Sequence, residues 1–168
     1  GLTFDSDVTE FIVTSGTLTV STAQATGRVI SGAGDVTVNA LAANANLASV
    51  SASGTVTANV ADDLDYSANT NIATVDAFVI AANKTGSFSA AQGAKTITLG
   101  SGAIAKVKVL TTSDISGTTL SGSVTQIDVS NSATASLSAA QAQLDITLGS
   151  GAVAKLKVST GTDVSGLT

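Results

Sequence analysis

The chain has no cysteine, histidine, methionine, tryptophan or proline among its 168 residues. Without cysteine there is no disulfide framework and no thiolate metal site. Without histidine, the usual general base near neutral pH and the commonest transition-metal ligand are both missing. Without proline, nothing interrupts backbone pairing between strands in successive layers. Aromatic residues are almost as scarce, being only Phe4, Phe11, Tyr66, Phe78 and Phe88. The 43% hydrophobic content therefore comes from Val, Ile, Leu and Ala. Such side chains suit a thin, regular β interior, and abundant Ser, Thr and Gly supply its turns.

Positive charge is also sparse. The net charge is −5, and Arg28 and the lysines make up only 7 basic residues. A nucleic-acid partner needs a basic stripe to neutralise phosphates, and an anionic membrane surface needs a basic patch, so neither partner is expected. No apolar run approaches the roughly 18 residues of a membrane-spanning helix. No charged-then-apolar leader opens the chain, so a secretion signal was removed, lies elsewhere in a longer precursor, or never existed.

What is present is repetition. Residues 65–119 recur as 114–168, 49 positions later, with 26 of 55 positions identical. Thr96 to Val109 returns as Asp145 to Val158, and Ser89-Ala-Ala-Gln92 as Ser138-Ala-Ala-Gln141. An earlier, longer copy is visible where Val8 to Val13 matches Val75 to Ile80 and Ser21-Thr-Ala-Gln24 matches Ser89 to Gln92. Its spacing of 67 exceeds 49 by 18, which reads as an added structural layer. Asn46 to Ala52 also matches Asn71 to Ala77 at an offset of 25, about half of 49.

Fixed-period self-similarity marks a chain made by stacking one supersecondary unit. Ile104 to Val109 and Val153 to Val158 alternate apolar with long polar side chains, the period-2 pattern of a half-buried strand. Gly100-Ser-Gly102 and Gly149-Ser-Gly151 punctuate the strands. The fold expected is all-β: a parallel β-solenoid (β-helix) of about seven coils, each of roughly 24–25 residues, two coils per repeat. The chain reads as one continuous solenoid over 1–168, with units near 1–64 (an inserted coil near 42–61), 65–113 and 114–162, and a further unit starting at 163–168. The pairs Val75/Val124, Phe78/Ile127, Ile80/Val129 and Phe88/Leu137 are expected to form inward ladders, with corners at Thr22–Gln24, Ala90–Gln92 and Ala139–Gln141.

Several patterns invite a chemical interpretation. Asp65, Asp114 and Asp163 recur every 49 residues. Asp before Ser builds an Asx turn, and calcium between coils is the competing role for these three carboxylates. Ser31-Gly-Ala-Gly-Asp35 has only a faint likeness to a calcium nonapeptide, because its Gly-to-Asp spacing is wrong. Lys106, Lys108, Lys155 and Lys157 form a candidate outward ladder: a solvated strand face or a grip for an anionic glycan. Gly100-Ser-Gly102-Ala-Ile-Ala105 fits the dinucleotide pattern formally, but a Lys/Val strand follows it where a helix is required. Thr17-Leu-Thr19, Thr55-Val-Thr57 and Thr96-Ile-Thr98 have the form of ice-binding rows, and the series breaks where Thr96 becomes Asp145. Asp62, Asp63 and Asp65 are the carboxylates a polysaccharide-active enzyme would use; no enzyme activity and no cofactor are expected.

The recurring Leu-Ser-Ala-Ala-Gln, Gly-Ser-Gly-Ala and Asp-Ile/Val-Ser-Gly segments resemble repeat regions of large secreted bacterial surface proteins. The nearest types are filamentous-haemagglutinin-like adhesins, RTX-type adhesins and S-layer proteins. The resemblance implies extracellular or cell-surface architecture or attachment, with no catalytic residues. The expected function is a rigid structural rod, filament or surface-layer component, the alternative an adhesive module for carbohydrate or another cell surface. Neither end of the chain carries a polar cap, so the expected partners are neighbouring repeats of a longer chain or further copies stacked head to tail.

Overall fold

A computed structural model describes residue 5, residues 7–158 and residue 165. Asp163, both termini and the unit starting at 163 lie outside the described residues. Strands β1 (Glu10–Ile12) and β2 (Thr17–Ser21) lead into a short helix, α1 (Thr22–Ala25). Then come β3 (Val29–Ser31), β4 (Asp35–Asn39), β5 (Val56–Val60) and β6 (Leu64–Asp65), a 3-10 turn at Thr70–Ile72, β7 (Ala77–Ile80), β8 (Thr85–Phe88) and α2 (Ala90–Gly93). The rest is β9 (Thr96–Leu99), β10 (Ile104–Val109), β11 (Ser113–Asp114), β12 (Val124–Val129), β13 (Thr134–Leu137), a 3-10 turn at Gln141–Gln143, β14 (Asp145–Leu148) and β15 (Val153–Leu156).

Every strand pairing is parallel, and the fold is a β-solenoid of about 8 turns. The strands stack into columns: β2-β4-β5-β7-β9, β6-β8-β10-β12-β14, β11-β13-β15 and β1-β3. Each strand in the interior of a column donates and accepts backbone hydrogen bonds with the coil before and the coil after, which satisfies its main chain.

Coil length departs from the sequence expectation. Paired residues lie 18 to 22 positions apart, from Thr17 with Asp35 to Leu64 with Gly86, so a coil is shorter than 24–25 residues. A 49-residue repeat is therefore two coils plus a step sideways. Strand β7 and its repeat counterpart β12 lie in adjacent columns, as do β8 and β13, β9 and β14, and β10 and β15. The pairs Phe78/Ile127, Ile80/Val129 and Phe88/Leu137 are all buried and inward, but they occupy neighbouring columns and do not stack on each other.

The real ladders run at the coil step. Val20, Val38, Ala58, Phe78 and Ile97 succeed one another in one column, and Phe88, Val107, Ile127 and Ile146 in the next. A fully buried aliphatic or aromatic side chain contributes about 1.5–3 kcal/mol, and a coil in the stack buries its inward row on both neighbours. Size alternates within a ladder: Ala58 leaves room for Phe78, whose ring meets Phe88 at 4.7 Å between centroids. Tyr66 stacks on Phe88 at 5.7 Å, and its hydroxyl donates to the Leu41 carbonyl at 2.7 Å.

The corners use one device three times. In Ser21 to Gln24, Ser89 to Gln92 and Ser138 to Gln141, the serine N–H donates to the glutamine Oε1 and the glutamine N–H donates back to the serine Oγ. This reciprocal box caps the single helical turns α1 and α2, and at the third corner it closes the turn that leads into Gln141–Gln143.

Candidate functional site

The densest charge lies on the outer surface of the β6-β8-β10-β12-β14 column. Along β10, Ala105, Val107 and Val109 point inward, so Lys106 and Lys108 point outward. Lys106 Nζ lies 3.2 Å from Asp128 Oδ2 on the following coil. Lys108 reaches the opposite way: its Nζ lies 2.6 Å from Asp65 Oδ2. Asp65 is opposite Ser87, and Ser87 opposite Lys106, so this ion pair spans the intervening β8 layer.

The other Asp65 oxygen is also engaged. Oδ1 accepts the Ser67 N–H at 2.9 Å and the Ser67 hydroxyl at 2.6 Å, an Asx turn that carries the chain out of β6. The arrangement recurs 49 residues later, where Asp114 Oδ1 accepts from Ser116 N–H and Oγ, and Oδ2 lies 2.6 Å from Lys157 Nζ. Both oxygens of each carboxylate thus face protein donors. Among the described residues, no group of three or more Asp, Glu, Cys or His is placed to hold a metal ion.

The clamps leave an electrostatic signature. The hydrogen bond from Lys157, with those from Ser116, holds the Asp114 carboxyl down at about 2, against an ordinary 3.8. At Asp65, burial pushes the carboxyl up, but the hydrogen bonds from Lys108 and Ser67 outweigh it and leave it below the ordinary range. A carboxyl whose folded-state pKa is depressed contributes stability above its unfolded value and loses it as pH falls through the folded value. Melting temperature is therefore expected to fall between pH about 4 and about 2 in the native chain, and Asp114→Asn should flatten that fall. Thermal melts across pH 2–7 make the comparison, and equal slopes in both proteins would refute the clamp. Solvent screens an exposed pair, so the change in slope is the expected signal.

Other polar side chains act along the same axis. Asp35 Oδ1 accepts the Thr55 N–H at 2.8 Å, Asp76 Oδ2 the Val56 N–H at 3.0 Å, and Asp63 Oδ1 the Thr85 N–H at 2.6 Å. At the position equivalent to Asp63 in the next repeat, Thr112 Oγ1 accepts the Thr134 N–H at 3.1 Å. Asn59 Nδ2 donates to Asn39 Oδ1 on the coil before at 2.7 Å. Gln92 Nε2 donates to the Asn69 carbonyl, and Gln141 Nε2 to the carbonyls of Ile115 and Thr118. Each of these bonds joins one coil to the next.

The sequence-predicted residues divide accordingly. Lys106 and Lys108 lie on β10, Lys155 on β15 and Lys157 just beyond it, so the four occupy two columns and do not form a single ladder. Of the four, Lys155 alone lacks an ion-pair partner among the described residues. Asp62 lies 3.5 Å from Lys84, while Asp63 and Asp65 are held as described. Thr19, Thr37 and Thr57 form one outward column, but its next member is Ala77, and Thr17 faces Asp35. Gly102 and Gly151 are turns at φ near +70°, each followed by a strand. Sequence inspection missed the two corner glutamines that bond back across a coil. The Ser-x-x-Gln spacing of a capping box was their visible signal.

Comparison with protein-family models, with curated proteins and with solved structures gives no match to this chain.

Proposed function

We propose that the chain is a non-catalytic structural module: a stiff extracellular rod that spaces or coats a surface. The observation that supports this most directly is the direction of its polar bonds. Asp65 with Lys108, Asp114 with Lys157, and Gln92 and Gln141 with the preceding loops all tie coil to coil, and two of these devices recur at the repeat interval. Polar chemistry directed along the axis resists bending and unstacking. At about 4.8 Å per coil, the eight turns give a rod of about 38 Å.

The last described coil leaves Leu148 49% exposed, Leu156 38% and Val158 53%, a surface suited to a further coil of the same kind. Head-to-tail contact with another repeat or another copy is the partner we propose. Sedimentation and negative-stain microscopy of the purified protein across a hundredfold concentration range test this. Rods that lengthen in steps of the monomer length are expected. Particles without an elongated axis would overturn the rod, whereas monodisperse short rods would overturn only the stacking. The competing adhesive role is favoured by the exposed Lys155, which has no ion-pair partner among the described residues, and retention on an anionic polysaccharide column would support it.

A further inference from the structure

A crevice opens on the surface where the loop after Tyr66 lies against α2. Its volume is about 220 Å³, below the roughly 300–1,000 Å³ of pockets for drug-sized ligands, so it suits a fragment-sized molecule. Ile72, Val75, Phe78 and Ala91 give it an apolar lining, and Lys95 lines it as the one charged residue. Lys84, Lys106, Lys108 and Lys157 are each paired with an aspartate, whereas Lys95 has no ion-pair partner among the described residues. Thr70 and Ser89 also line the crevice.

The crevice is a product of the repeat. Ten of its eleven lining residues have counterparts 49 positions later that line a second crevice of about 300 Å³. Leu144 stands where the first has Lys95, Ser121 where it has Ile72, Thr118 where it has Asn69 and Gly122 where it has Ala73, and the counterpart of Phe78 does not line the second. The backbone framework is thus shared, while apolar lining and cation coincide only in the first.

We infer that the crevice lined by Ile72, Phe78, Ala91 and Lys95 binds a small apolar monocarboxylate, its hydrocarbon against the lining and its carboxylate on the Lys95 ammonium. A buried apolar body and one charge-assisted hydrogen bond are complementary to this lining. The neutral second crevice lacks the group that would orient such a ligand.

Two-dimensional amide NMR of the intact chain, titrated with hexanoate and separately with hexanol, tests the inference. Saturable shifts at Ile72, Ala73, Ala91 and Lys95 are expected with hexanoate, with hexanol at least about tenfold weaker, the usual worth of a hydrogen bond to a charged group. Lys95→Leu copies the residue the second crevice already carries, so it should melt like the native chain and lose hexanoate by a similar factor. Absence of saturable shifts, shifts located elsewhere, equal binding of hexanol, or full retention by a folded Lys95→Leu protein would each overturn the inference.

Discussion

Phe88→Ala is expected to lower the unfolding free energy by about 3–5 kcal/mol, the usual cost of removing a fully buried ring. Phe88 has no exposed surface and meets both Tyr66 and Phe78, the only three rings that meet in the described core. Coils above and below are held at fixed spacing by backbone bonds, so they cannot collapse into the void. In a stacked architecture the loss should also be local, since each coil contacts only its neighbours. Hydrogen exchange should show protection falling most in β7, β8 and β10, and least in β2 and β14. Phe88→Leu installs the residue found at the equivalent Leu137 and should cost less than about 1.5 kcal/mol. A Phe88→Ala loss below about 1 kcal/mol in denaturant unfolding would show that the ring cluster does not anchor the core.

Gly32→Ala should cost about as much for a different reason. Gly32 has φ near +108°, a backbone conformation that residues with a β-carbon rarely adopt. A methyl group there would also be driven against the main chain of Val13, 2.8 Å from its carbonyl carbon. Main chain cannot rotate aside as a side chain can, and the same segment is tied down by Val13 N–H to Ser31 O and Gly34 N–H to Val13 O. Backbone strain of about 1–3 kcal/mol and overpacking of about 1–3 kcal/mol act together at this site. Gly117→Ala is the control, because nothing lies within 4 Å of the added carbon and its φ is not positive. Denaturant midpoints should separate the two variants clearly, and equal midpoints would refute the strained turn.

The class of fold was legible from local evidence. Alternation in Ile104 to Val109, glycine turns, absent proline and a fixed repeat each pointed to stacked parallel strands. Coil length was not legible, and the reason is geometric. Sequence self-similarity counts from Phe78 to Ile127, whereas hydrogen bonding counts from Phe78 to Ile97. Only when a repeat holds a whole number of coils do the two counts agree. The same gap concealed the clamps. Asp65, Asp114, Lys108 and Lys157 were each visible as recurring residues, yet a separation of 43 between Lys108 and Asp65 suggests contact only once a coil is known to take 18 to 22 residues. The corners at Ala90 and Ala139 were legible from composition, but the reach of the buried Gln92 and Gln141 to a neighbouring coil depends on what is stacked there.

Because each 49-residue unit advances one column around the axis, copying it lengthens the molecule and turns it at once. Its Asp–Lys clamps, corner glutamines and crevices follow a spiral staircase, and a given motif returns to the same side only after a full circuit. A flat lattice or a neighbouring rod lying alongside would meet each motif singly, and no long uniform stripe would be offered for lateral zippering. Growth by duplication can thus proceed end to end without creating the broad repetitive faces from which β-rich chains laminate into aggregates.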